Sequence, residues 1–184
     1  MTPVRWIAGS SLEFLARRLR FLGFDVAAAR GARLEELFEA ARREGRRVLT
    51  LSARHPRRFE DVGTDVVGRG DPAAELRRLV EGREPGGPPF SRCPECNAPL
   101  QRRHPMEATG EVPGRVLRSR PALTFCPVCG RWYWEGSHVA RIRAWLEAAL
   151  GRSLADGRAD AGGAQGERGA DPPGGGGGSP ATGS

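Results

Sequence analysis

All four cysteines of this 184-residue chain sit in two short pairs, Cys93-Pro-Glu-Cys96 and Cys126-Pro-Val-Cys129. A C-x-x-C segment can turn two sulfurs toward one point, so two of them supply the four soft ligands of a closed tetrahedral zinc site. Such a site has no open position for water or substrate, and a metal held there is structural zinc rather than a reagent. A redox dithiol accounts for one pair but not for two. A disulfide framework suits a small secreted chain, whereas here Glu13 interrupts the first apolar stretch and arginines follow at once. A reducing, cytoplasmic compartment is expected, and no apolar run approaches the roughly 20 residues of a membrane-spanning helix.

Positive charge is the second chemical feature. The chain has 29 basic residues against 22 acidic ones, a net charge of +7, and every basic residue is arginine. Lysine-free, Ala/Gly/Pro-rich composition fits GC-rich coding as well as phosphate recognition. The charge is not spread evenly: after Leu150 the acids Asp156, Asp160, Glu167 and Asp171 outnumber Arg152, Arg158 and Arg168. The excess of arginine therefore lies in the first 150 residues, where it draws in polyanions.

Two breaks in composition divide the chain. Gly82 to Pro89 is a Pro/Gly linker. From Gly151 the sequence turns to Gly, Ala, Asp, Pro and Ser, has almost nothing apolar to bury, and is expected to be disordered. The expected organisation is thus an α/β domain over 1–81, the linker over 82–89, a zinc ribbon with a terminal helix over 90–150, and a tail over 151–184.

The elements that must position any chemistry come from periodicity. Val4 to Ala8 reads as a buried strand, and Leu12, Leu15, Ala16, Leu19 and Leu22 mark one face of a helix that Gly23 stops. Phe24 to Ala28 is a second strand. Leu34, Leu37, Phe38 and Ala41 mark a second helix, ended by Gly45. Val48 to Leu51 and the region of Val66 and Val67 are further strands, and Asp71-Pro72 opens a helix that buries Leu76, Leu79 and Val80. Alternating strands and helices imply a small, mostly parallel sheet with helices on its faces. Ligands of such a sheet bind beyond the carboxyl ends of its strands, here Ala8 to Ser11, Thr50 to Arg54 and Gly68 to Asp71.

Arg17, Arg18 and Arg20 on the first helix, with Arg54, Arg57 and Arg58 after the third strand, could neutralise phosphates near that edge, or be solvated helix and loop residues. After the second cysteine pair, Arg131-Trp132-Tyr133-Trp134 alternates as a strand does, with Trp132 and Trp134 on one side and Tyr133 on the other. A ring such as Trp134 beside Arg131 or Arg120 could stack a base of single-stranded RNA, or pack as core. His138 lies at the start of a last helix that buries Val139, Ile142, Trp145 and Leu146; with four cysteines already completing the metal shell, it suits a helix-start or phosphate contact.

Five segments, Leu15-Ala16-Arg17-Arg18-Leu19-Arg20-Phe21-Leu22-Gly23, Val48-Leu49-Thr50, Gly70-Asp71-Pro72, Pro89-Phe90-Ser91-Arg92-Cys93-Pro94-Glu95-Cys96-Asn97 and Tyr133-Trp134-Glu135-Gly136-Ser137-His138, resemble the Mut-seven C-terminal RNase domain family in order and spacing. The resemblance runs over residues 4–150. It implies a PIN-like nuclease fold followed by a zinc ribbon, with RNA as the partner and Mg²⁺ or Mn²⁺ as the catalytic cofactor. It also exposes a departure. The family pattern ends its first strand with an aspartate where Gly9 stands, and places another two residues past the threonine, where Ser52 stands.

Hard divalent ions want oxygen ligands, and glycine offers none while serine offers a neutral one. The acids left by the resemblance are Glu36 or its neighbour Glu35, and Asp71, with Glu13 as a possible replacement one turn beyond Gly9. Each also has a structural explanation: Glu13 completes an S-x-x-E capping box with Ser10, Asp71 caps a helix, and Glu36 belongs to an acidic helix face with Glu35 and Glu39. His55, between Arg54 and Pro56, reads as a loop residue before it reads as a phosphate contact. Three functions stay open: an RNA-binding member of the family with a degenerate metal site, an active metal-dependent endoribonuclease with relocated carboxylates, and a protein-interaction module.

Overall fold

The computed structural model describes residues 2–154. Four strands, β1 (Arg5–Gly9), β2 (Asp25–Ala29), β3 (Arg47–Thr50) and β4 (Thr64–Val66), form one sheet in the order β2-β1-β3-β4, and every neighbouring pair is parallel. The helices α1 (Glu13–Phe21), α2 (Leu34–Glu44) and α3 (Pro72–Val80) alternate with them, as the periodicity predicts. Because successive strand residues face opposite ways, the sheet builds two cores. Trp6, Ala8 and Leu49 join the buried faces of α1 and α3 on one side. Ile7 and Val48 meet Leu37, Phe38 and Ala41 of α2, with Phe59, on the other.

The second unit holds β5 (Gln101–Arg103), β6 (Leu123–Phe125) and β7 (Trp132–Tyr133) in an antiparallel sheet of that order, with a short helix α4 (Gly114–Ser119) between β5 and β6. Its small core is Ala108, Val112, Val116 and Leu123, flanked by Trp132 and Trp134. The terminal helix α5 (Ser137–Leu150) does not stay with this ribbon. It lies against α3, and Ile142, Leu146 and Ala149 enter the core that contains Trp6 and Leu19.

Both junctions are packed. The Pro/Gly stretch lies close against the end of α1: a Cβ on Gly23, whose φ is +89°, would come within 2.0 Å of the Gly87 carbonyl oxygen. Phe90 N donates to the Phe21 carbonyl at 2.7 Å, and the Phe21 and Phe90 rings pack 5.5 Å apart. At the other end, Gly151 closes α5 in a left-handed conformation, and Leu154 is 7% exposed within the first core. The ordered chain therefore runs past Gly151; the rest of the expected disordered tail, 155–184, lies outside the described residues. No helix among the described residues is long and apolar enough to cross a membrane.

Candidate metal centre and nucleic-acid interface

The two cysteine pairs form matching turns. Cys93 N donates to the Ala98 carbonyl and Asn97 N to that of Cys93; Cys126 N donates to Arg131 and Gly130 N to Cys126. Asn97 and Gly130 occupy the same position in their turns, both with positive φ, +69° and +68°. The four Sγ atoms lie within 4.8 Å of one another, with Cys93 and Cys129 3.6 Å apart and Cys96 and Cys126 3.3 Å apart. Four sulfurs about 2.3 Å from a tetrahedral zinc ion stand about 3.8 Å apart, so the cluster fits such an ion. Burial, with the neighbouring thiols, pushes Cys96 up to about 12, a cost that a bound cation removes. The Tyr133 hydroxyl stands 3.2 Å from Cys93 Sγ, and burial raises its pKa, so it is a donor to that sulfur. Tyr133 thus faces the cysteines while Trp132 and Trp134 face the ribbon core, in the strand alternation expected.

The metal-binding turn is bolted to the parallel sheet. Arg20 is wholly buried and donates through Nε to the Val26 carbonyl at 2.8 Å and through Nη1 to the Pro94 carbonyl at 2.6 Å and to Glu13 Oε1 at 3.0 Å. This corrects the expectation that Arg20 contacts phosphate: its guanidinium is wholly buried and its Nε and Nη1 are turned to protein partners. Asn97 makes a second bolt, accepting from Val26 N at 3.0 Å and donating to Asp25 at 2.7 Å. Arg17 pairs with Glu95 at 2.9 Å and approaches Glu13 at 3.6 Å. Arg18 lies over the Phe14 and Trp145 rings, 4.3 and 5.0 Å from their centroids, and burial lowers its pKa.

At the carboxyl edge of the sheet, β1 ends on Gly9 and the chain beyond β3 carries Ser52. A Cβ added at Gly9 meets nothing within 4 Å, so a larger residue has room there. Ser52 Oγ accepts from Arg54 N at 3.1 Å. Asp71 caps α3, accepting from Ala73 N and Ala74 N, both at 3.1 Å. Glu36 accepts from Arg33 N at 2.9 Å at the start of α2. The capping box expected for Glu13 is absent; its carboxylate instead meets Arg20, Arg17 and Arg30, the last at 3.7 Å. His55 reaches the Phe59 carbonyl at 2.7 Å, and its ring lies tilted against Phe38, 5.1 Å between centroids. Among the described residues, the four cysteines are the one group of three or more His, Cys, Asp or Glu placed to share a metal ion.

A parallel sheet clothed on both faces, followed by a four-cysteine ribbon and a returning helix, sets the comparison with known proteins. The family model of the Mut7-C RNAse domain matches residues 4–146. The chain belongs to that family. No curated protein and no solved structure matches it. The Mut7-C match spans both units and ends inside α5.

Within this Mut7-C chain, the remaining candidate residues fall into two groups. Arg54 and Arg57 are exposed, and neither side chain has a partner among the described residues. Arg131 is 61% exposed and has only a 3.9 Å approach to Glu95. Trp134 and His138 both line an open cleft of about 670 Å³ between α4, β7 and the start of α5. Reading the sequence missed Asp65, Asp25 and α4. Asp65 is 7% exposed and accepts from Trp6 Nε1 at 2.8 Å, Arg47 Nε at 2.8 Å and Arg83 Nη2 at 2.7 Å. Burial pushes its carboxyl upward, but the bonds from Arg47, Trp6 and Arg83 outweigh burial and hold it at about 2. Asp25 is likewise lowered, its burial overcome by Arg46 and Asn97. Asp25 opens β2, at the end of the sheet opposite the ligand edge, and Asp65 is the middle residue of β4 with its carboxylate spent on Trp6, Arg47 and Arg83; both serve the fold.

Proposed function

We propose that the chain is an RNA-binding member of the Mut7-C RNAse domain family whose divalent-metal site has decayed, with structural zinc on Cys93, Cys96, Cys126 and Cys129. The observation that carries this reading is the state of the carboxyl edge. A hydrolytic Mg²⁺ or Mn²⁺ site needs several carboxylates converging on one point. Here Gly9 ends β1 and Ser52 follows β3 by two residues, Asp71 and Glu36 are engaged with helix-start N–H groups, and Glu13 faces three guanidiniums. A carboxylate already neutralised by arginines attracts a divalent cation poorly.

Binding does not depend on those acids. Arg54 and Arg57, in the loop after the third strand, have no side-chain partner among the described residues and can neutralise phosphates. Reduced thiols reserved for a metal suit the cytoplasm.

The test is a calorimetric titration of Mn²⁺ into the zinc-loaded chain, run beside incubation with a labelled single-stranded RNA. The expected result is RNA retention that weakens steeply with salt, without manganese uptake or cleavage. Uptake with metal-dependent cleavage would establish an endoribonuclease built on Glu13, Glu36 and Asp71 instead, and binding indifferent to salt would favour a protein-interaction module. In the Gly9→Asp/Ser52→Asp chain, where the first substitution enters open space, manganese uptake should appear.

A further inference from the structure

Part of the lining of the cleft in the ribbon is made of polar groups that have no partner among the described residues. Arg115 and Arg120 flank it, one exposed and one half-buried, and neither has a partner among the described residues. His138 and the indole Nε1 of Trp134 are likewise without partners there. This sets the cleft apart from most of the first unit, where Arg17, Arg20, Arg46, Arg47 and Arg83 are all held by carboxylates.

Shape and chemistry narrow the occupant. The volume, about 670 Å³, lies in the range of pockets that enclose a small ligand. Trp132 is committed: its ring packs on Phe125 at 4.7 Å and its Nε1 donates to Glu111 at 3.2 Å. Trp134 is half-buried, resting one part of its ring against the Val116 core while the rest lines the cleft. Glu135, the acid on this wall, approaches Arg143 at 3.8 Å. An occupant must therefore offer a flat π-surface to an indole and negative charge to two arginines. An unpaired nucleotide does both, whereas a paired base hides its face in the stack.

We propose that the cleft seats one unpaired nucleotide of an RNA strand, its base stacked on Trp134 and its phosphates on Arg115 and Arg120. This rests on the chain binding RNA, and it makes the ribbon, rather than the degenerate edge of the sheet, the part that distinguishes single strands from duplex. Arg54 and Arg57 then contribute phosphate attraction indifferent to bases.

The experiment measures fluorescence anisotropy of the full chain, zinc-loaded, with three probes of one length: a single-stranded RNA, the same sugar-phosphate strand without bases, and the duplex. Removing the bases or pairing them should weaken binding by about 5- to 150-fold, the range that base stacking on an aromatic ring confers. Arg120→Ala should weaken the single strand, and Trp134→Ala should abolish the preference for it over the abasic strand. Because Trp134 also supports the ribbon core, the abasic comparison on the unmodified chain keeps the test decisive if that variant loses its zinc. Equal binding of the RNA and abasic strands, or an unaltered preference in a folded Trp134→Ala chain, overturns the cleft while leaving RNA binding intact. No binding of any probe by the unmodified chain overturns both.

Discussion

Replacing Asp65 by asparagine removes one negative charge from beneath three donors and little volume. In the native chain the carboxylate is held at about 2 against an ordinary value of 3.8, a displacement that linkage converts to roughly 2–3 kcal/mol of stability at neutral pH. The sign follows from the direction: a carboxyl depressed on folding stabilises fully above its unfolded value and loses that contribution as pH falls through its folded one. Asp65→Asn should therefore be less stable than the parent by roughly 2–3 kcal/mol at pH 7, with the gap closing between about pH 4 and pH 2. Urea unfolding followed by far-UV circular dichroism at stepped pH measures the gap directly. Acid also strips metal from thiolates, but it does so in both chains and cancels in the difference. A gap that is absent at pH 7, or that persists unchanged to pH 2, would refute the assignment of Asp65 as an ionised hub.

Chelating the metal should accelerate hydrogen exchange beyond the ribbon, at Val26, whose N–H is held by Asn97 in the first cysteine turn; exchange confined to residues after Cys93 would count against mechanical coupling. Arg20→Met should cost roughly 3–5 kcal/mol in thermal or urea unfolding, since it deletes a buried cation, takes from Glu13 the nearest of its three guanidiniums and removes a donor from two carbonyls. The double variant Arg54→Ala/Arg57→Ala should lower the slope of log affinity against log salt for single-stranded RNA by about 1.4, two phosphates' worth. An unchanged slope would place neither arginine on the nucleic acid.

The elements were legible because their signals are local. Three- and four-residue spacing in Leu12, Leu15, Ala16 and Leu19 marks α1 without reference to anything else, and the left-handed Gly45 after α2 is a stop that needs only its neighbours. The cysteine cluster was legible for the same reason, each turn being four residues long. The charges were not. Arg20 reads as one of three arginines on a helix, yet its partners Pro94 and Glu95 lie 74 and 75 residues away; only its place four residues after buried Ala16 hinted that it points inward. Asp65 draws on Trp6, Arg47 and Arg83, which no window joins. Glu13 shows how a local rule loses to tertiary context: its motif suits a capping box, but three guanidiniums compete for the carboxylate and win.

The return of α5 has a consequence for how the molecule comes into being. Ile142, Leu146, Ala149 and Leu154 complete a core whose other walls, α1 and α3, are finished by residue 80. A growing polypeptide must carry those walls uncovered while the whole ribbon is made, which takes several seconds at roughly 5–20 residues per second. The parallel sheet, slow to nucleate because its strands pair across long loops, is thus offered its lid last. The ribbon is an interlude in the folding of the first unit, and a chain cut after residue 81 would be an unfinished protein rather than a smaller one.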